Sequence, residues 1–160
     1  MTIMESVQNP GMNIIPTVNF HFIDKCNYRC PFCYANYPAN RKKEELNHEQ
    51  KINIIGQIAK HGAFKKINFA GGEPFLYERL LELVRYAKSY GLQTSIVTNF
   101  SRLSPQVLKE YVGHLDLLGL SVDSTNPETL RTHGRYEDAV SGQIEEKLME
   151  IANFAARMGF

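Results

Sequence analysis

Apolar and polar residues repeat along this chain with two different periods, and the chain switches between them regularly. In TVNFHF (17–22), Val18, Phe20 and Phe22 fall on one side of an extended backbone and Thr17, Asn19 and His21 on the other, which is the two-residue period of a strand. KKINFA (65–70) repeats it, with Ile67 and Phe69 opposed to Lys66, Asn68 and Ala70. TSIVTN (94–99) and LLGLSVD (117–123) are further short β-type runs. Between these segments the apolar spacing lengthens to three and four residues. Ile52, Ile55, Ile58 and Ala59 mark a helix that opens at an Asn47 cap with Gln50 three positions on, and stops at Gly62. Leu80, Leu83, Val84 and Ala87 mark another within 75–91, and SPQVLKEYVG (104–113) is a third, opened by Ser104 with Pro105 behind it. A last amphipathic helix is expected over 142–158.

Four strand–helix units in succession predict an α/β fold with a parallel sheet, because parallel neighbours need crossover helices. A parallel sheet covered on both faces reads as nearly continuous apolar sequence. Here Asn19, His21, Lys66 and Asn68 share the second face of their strands. That pattern suits a curved sheet or partial barrel lining a ligand cavity, and the competing arrangement is a sheet with one solvated face.

The length of 160 residues, 43% hydrophobic and 22% charged, fits a single domain over 1–160 with a Pro- and Gly-punctuated leader at 1–15. A formal net charge of +1 excludes the broad basic field that would favour nucleic acid or an anionic membrane. No segment approaches the roughly 20 apolar residues of a membrane span, and the first residues lack a secretory pattern, so the expected location is cytoplasmic.

All three cysteines, Cys26, Cys30 and Cys33, lie in CNYRCPFC directly after the first strand. An odd number of thiols in a reducing compartment argues against disulfides and for metal ligation. A zinc site would take a fourth ligand, from His21 or His48. An iron–sulfur cubane with one iron left open would need only the three. The spacing alone leaves both open. At the end of the second strand stands GGEP (71–74), whose paired glycines allow close approach to the backbone.

The cysteine loop and GGEP, in this order, resemble the radical S-adenosylmethionine superfamily. TVNFHFIDKCNYRCPFCYA, KKINFAGGEPFL and LDLLGLSVDS with the later HGR are similar to viperin and the microbial viperin-like antiviral enzymes. The resemblance covers 15–160 and implies a partial (βα) barrel, here cut to about four βα units. It also implies a [4Fe-4S] cluster on Cys26, Cys30 and Cys33, with S-adenosyl-L-methionine on the remaining iron. The activity implied is dehydration of a ribonucleoside triphosphate, CTP or similar, to its 3′-deoxy-3′,4′-didehydro form in antiviral defence, with a flavodoxin- or ferredoxin-type electron donor.

By position, the resemblance assigns Gly71, Gly72 and Glu73 to the methionine amino group and Phe32 and Tyr34 to the adenine, although the two aromatic rings could equally pack around the cluster. It assigns Asn99 to the ribose of S-adenosylmethionine, and Ser121 and Arg135 to the methionine carboxylate. Asn19 and Lys66 match positions that face the substrate, with Asn68 and His21 pointing the same way and Asp123 as a supporting carboxylate or a turn residue before STNPE. Lys66 would be a triphosphate ligand, the alternative being a solvated strand start like Lys65. Phe100 stands where relatives often carry glycine. The family's fifth and sixth strands have no counterpart, so the fourth strand is expected to be an open edge and a route to self-association. Other readings are a deazapurine synthase or activase type of radical enzyme, or a non-catalytic zinc or iron–sulfur module.

Overall fold

A computed structural model describes residues 15–33, 35, 45–135 and 143–160. The leader up to residue 14, Tyr34 and the first residue of the expected last helix, Gly142, lie outside the described residues. Strands β1 (Thr17–Ile23), β2 (Lys66–Gly71), β3 (Gln93–Thr98) and β4 (Leu117–Leu120) form one parallel sheet in chain order. The helices are α1 (His48–His61), α2 (Leu80–Ser89), α3 (Pro105–Lys109), α4 (Pro127–Thr132) and α5 (Ile144–Met158), with a 3-10 turn at Pro74–Leu76.

Helix α1 begins where expected. Asn47 Oδ1 accepts from Gln50 N at 2.9 Å while Asn47 N donates to Gln50 Oε1 at 2.8 Å, so two otherwise orphaned donors are satisfied reciprocally. The helix ends at Gly62 with φ 75°. Lys51, unmarked by the apolar pattern, is only 1% exposed. Its ammonium lies 4.1 Å from the centre of the Tyr77 ring and bonds Glu45 at 2.6 Å, which offsets the burial of its charge.

The apolar side of the sheet, with Phe20, Phe22, Ile67, Phe69 and Ile96, packs against Ile55 of α1 and Leu80, Leu83, Val84 and Ala87 of α2. Phe22 and Phe69 meet edge to face at 5.9 Å. Each fully buried side chain of this kind contributes about 1.5–3 kcal/mol. A second cluster joins Phe100, Leu103, Leu108, Leu130, Ile144 and Ile151 under α3, α4 and α5. The sheet's other side carries the polar residues, and the register aligns Asn19, Asn68, Ser95 and Leu117 across all four strands.

Four boundaries differ from the sequence expectation. The helix expected over 75–91 starts only at Leu80, because Glu73 caps a separate 3-10 turn first, its Oε1 accepting from Phe75 N at 3.0 Å. Helix α3 closes after Lys109 and continues as turns. Strand β4 stops at Leu120, so Ser121 and Asp123 stand on the loop beyond it. The segment after Asp123 is not only a turn: Asn126 Oδ1 accepts from Glu128 N and Thr129 N, Pro127 occupies the first turn, and α4 follows.

Candidate cluster and cofactor site

The cysteine loop leaves β1 at Ile23 and is gripped on both flanks by the main chain. On the β2 side, Gly72 N donates to Ile23 O at 2.7 Å and Glu73 N to Lys25 O at 2.8 Å. A Cβ at Gly71 would lie 2.3 Å from Ile23 O, and one at Gly72 2.1 Å from Lys25 O, so only glycine lets the two segments meet. The paired glycines therefore admit the chain's own cysteine loop. On the β4 side, Arg29 N donates to Gly134 O at 3.2 Å. Gly134 has φ 73°, and a Cβ there would lie 2.4 Å from Arg29 O.

Glu73 is fully buried. Its carboxylate accepts from Phe75 N at 3.0 Å, Thr98 Oγ1 at 2.6 Å and Asn99 N at 2.8 Å, tying the GGEP turn to the end of β3. Burial pushes its carboxyl above the usual range, with the three donors pulling the other way. Beyond β3, Asn99 Nδ2 donates to Asn27 Oδ1 at 3.1 Å and lies 3.9 Å from Cys26 Sγ. Ser101 Oγ donates to Asn99 Oδ1 at 2.6 Å and accepts from Asn27 Nδ2 at 3.0 Å, closing a triangle over the loop. Phe100, between them, has φ 51°. It adopts the left-handed conformation a glycine would adopt freely, and its fully buried ring anchors the second apolar cluster.

Cys26 and Cys30 are partly buried and Cys33 is exposed. Tyr28 N points at Cys26 Sγ from 3.4 Å, and Cys33 N donates to Cys30 O at 3.1 Å. Burial pushes the Cys26 and Cys30 thiols up. Among the described residues no three His, Cys, Asp or Glu side chains gather as they would round a single metal ion. His48 is engaged elsewhere, with Nδ1 2.9 Å from Tyr77 Oη and Nε2 3.4 Å from Glu82. The loop's donors are three soft thiols with a main-chain N–H aimed at one of them, a set that fits an iron–sulfur cluster.

Arg135 closes the site from the β4 side and is 3% exposed. Its Nη1 donates to Ser121 O at 2.8 Å, and Ser121 N in turn donates to Thr98 O at 2.9 Å. Arg135 Nε lies 2.8 Å from Asp123 Oδ2, but its N–H does not aim along that line, so charge holds the pair. The guanidinium carbon lies 5.5 Å from the centre of the Tyr28 ring. Phe32 is 56% exposed and meets the His133 ring edge-on at 5.2 Å.

The remaining candidates lie on the polar side of the sheet. Asn68 Nδ2 donates to Asn19 Oδ1 at 2.9 Å, and Ser95 Oγ donates to Asn68 Oδ1 at 2.8 Å, giving a hydrogen-bonded row over three strands. Thr17, Asn19, Lys66, Asn68, Ser95 and Leu117 line an open groove of about 190 Å³. His21 is exposed. The structure thus brings Cys26, Gly71, Gly72, Glu73, Asn99, Ser121 and Arg135 to one end of the sheet. Asn19 and Lys66 sit farther down its polar side. Sequence reasoning passed over Asn27, Ser95, Thr98 and Ser101. Ser95 could have been found by aligning TSIVTN with KKINFA as parallel neighbours, which sets it beside Asn68.

A strand-end loop with three thiols, clasped by a Gly-Gly turn on a parallel sheet, defines a class. The family model described as Radical SAM superfamily matches residues 20–160, and the chain belongs to that superfamily. Among curated proteins it is 42% identical over 134 residues to an S-adenosylmethionine-dependent nucleotide dehydratase of Flammeovirga pacifica, covering 81% of this chain and 46% of that one. It is 36% identical to the protein of the same name in Selenomonas ruminantium (86% and 50% covered). To the S-adenosylmethionine-dependent nucleotide dehydratase RSAD2 of Danio rerio it is 38% identical (74% and 33% covered). The chain therefore spans half or less of the length of these relatives. Among solved structures, Streptococcus suis SuiB bound to its precursor peptide SuiA superposes with a TM-score of 0.60 at 16% identity, covering 90% of this chain and 37% of that one. At that identity the likeness concerns the fold.

Proposed function

We propose that this chain carries the cluster, the cofactor site and part of the substrate site of a viperin-like radical enzyme. It dehydrates a ribonucleoside triphosphate, CTP or similar, to the 3′-deoxy-3′,4′-didehydro nucleotide. The names of the relatives support the reaction class. The observation that carries the reading is the placement of a polar row between the cysteine-loop end of the sheet and Lys66. Five residue steps along β2 separate Gly71 from Lys66, roughly 16 Å at about 3.3 Å per residue. That distance suits a nucleotide with its ribose near the cluster and its phosphates at the ammonium.

Cys26, Cys30 and Cys33 would hold the cluster, with S-adenosylmethionine bound beside it. When bound, this pair supplies one-electron cleavage of the sulfonium and abstraction of a ribose hydrogen atom. The chain's own groups bind and orient. The Gly71–Gly72 carbonyls would accept from the methionine amino group while Glu73 braces the turn that presents them. Ser121 and Arg135 receive the methionine carboxylate, Asn99 the ribose, and Phe32 with Tyr34 the adenine. Asn19 and Lys66 bind the substrate, Lys66 as a charge-assisted donor. The reductant is of the flavodoxin or ferredoxin type and the location cytoplasmic; no helix among the described residues is long and apolar enough to cross a membrane.

The test is anaerobic reconstitution with iron and sulfide, then dithionite, S-adenosylmethionine and a panel of ribonucleoside triphosphates, following 5′-deoxyadenosine. One triphosphate should raise its formation, and Lys66→Met should raise KM for it by about tenfold or more with a smaller change in kcat. If CTP, UTP and GTP all leave formation at the substrate-free level, the assignment to nucleotides fails.

A further inference from the structure

Arg135 is more deeply buried and more fully engaged than the binding of one substrate carboxylate requires. Nη1 is spent on Ser121 O and Nε lies against Asp123. The guanidinium faces the Tyr28 ring from within the cysteine loop. Gly134, its chain neighbour, is bonded through its carbonyl to Arg29 N, and a Cβ on Gly134 would lie 3.2 Å from Cys30 N. This places a fixed positive charge and a fixed negative charge together behind the middle cysteine of the loop.

We propose that Arg135 and Asp123 form a charge pair against the cysteine loop that sets the reduction potential of the cluster, a role separate from binding S-adenosylmethionine. The proposal rests on the cluster assignment above. The pair sits against the main chain of the cysteine loop: Arg29 N bonds the carbonyl of Gly134, next to Arg135 in the chain, and the guanidinium carbon lies 5.5 Å from the centre of the Tyr28 ring. Opposed charges at that place act on electrons in opposite senses. Adding one electron makes the cluster more negative, so a nearby guanidinium favours the reduced form and a nearby carboxylate opposes it. Asp123, 25% exposed at its side chain, moderates the arginine.

The experiment is a reductive titration of the reconstituted chain, followed by electron paramagnetic resonance without S-adenosylmethionine or nucleotide, so that any carboxylate-binding role of Arg135 is silent. Iron and sulfide content are measured in parallel. Arg135→Gln should shift the midpoint to more negative potential and Arg135→Lys should restore part of the shift. Asp123→Asn should move it positive. A tenfold change in the oxidised-to-reduced ratio at a fixed poise corresponds to about 59 mV for one electron. Ile151→Val, which loosens the core away from the loop, should leave the midpoint in place. Equal midpoints for the parent, Arg135→Gln and Asp123→Asn at full iron and sulfide content overturn the proposal while leaving the cluster assignment intact. If Arg135→Gln takes up no cluster, Asp123→Asn and Arg135→Lys decide in the same way. If the parent itself loads no iron and sulfide, the cluster assignment fails and the proposal with it.

Discussion

Single residues at this site answer to constraints a residue type alone does not reveal. Phe100 is the clearest case, since a left-handed backbone costs an L-residue about 1–2 kcal/mol and glycine would remove that cost. Yet the ring is fully buried among Leu103, Leu108, Leu130, Ile144 and Ile151, and deleting a buried phenylalanine ring costs about 3–5 kcal/mol. Packing outweighs strain, so Phe100→Gly should lose about 2–3 kcal/mol in urea unfolding, whereas a gain in stability would show that strain dominates. Nothing in the sequence around Phe100 shows that this turn takes the left-handed geometry glycine adopts freely. Glu73 is similar: its place in GGEP was visible, but the three donors that surround its carboxylate come from two separate segments.

At the level of elements, alternation located β1 and β2 and the β-type run TSIVTN located β3, each to within a residue, and the Asn47–Gln50 pair fixed the start of α1. These signals are local, and so they were legible. Helix α4 was overlooked although Asn126-Pro127-Glu128 carries a cap, a first-turn proline and an acidic residue at the helix start. Its six residues hold too few apolar positions to display a helical period. What joins elements is less visible still. Asp116 Oδ2 accepts from Thr94 N at 2.8 Å at the start of β3, and Oδ1 pairs with Lys88 of α2.

That carboxyl has a definite pH signature. Partial burial pushes its pKa up, but Lys88 and the Thr94 N–H outweigh this and hold it below the ordinary value of 3.8. Folded Asp116 therefore binds fewer protons than unfolded Asp116, so its contribution to stability is present above that value and disappears as acid passes through the folded one. Asp116→Asn should be less stable than the parent at neutral pH, and the gap should narrow as the pH falls below the ordinary value of 3.8. Urea midpoints across that range measure it; a gap independent of pH would refute the ion-pair account.

On the scale of the whole molecule, β4 pairs only with β3 among the described residues. Leu117 is 50% exposed, and Val97 and Val122 are also exposed. Unpaired strand groups flanked by apolar side chains invite another strand. The isolated 160-residue chain should associate with rising concentration in sedimentation velocity, and Leu117→Lys should reduce this without altering the far-ultraviolet spectrum. A parent that stays monomeric at high concentration would show the edge to be inert. The polar side of the sheet could be anticipated from alternate residues, but its row of Asn19, Asn68 and Ser95 depends on register, a property of the assembled sheet.

The cysteine loop is stitched to its neighbours by amide–carbonyl bonds at Ile23, Lys25 and Arg29, and none of these stitches involves a sulfur atom. A seat for a metal there would therefore be held by main-chain bonds that need no iron. Chelation should empty it without collapsing it, and a chain bleached by oxygen and then reduced should accept fresh iron and sulfide without first being denatured.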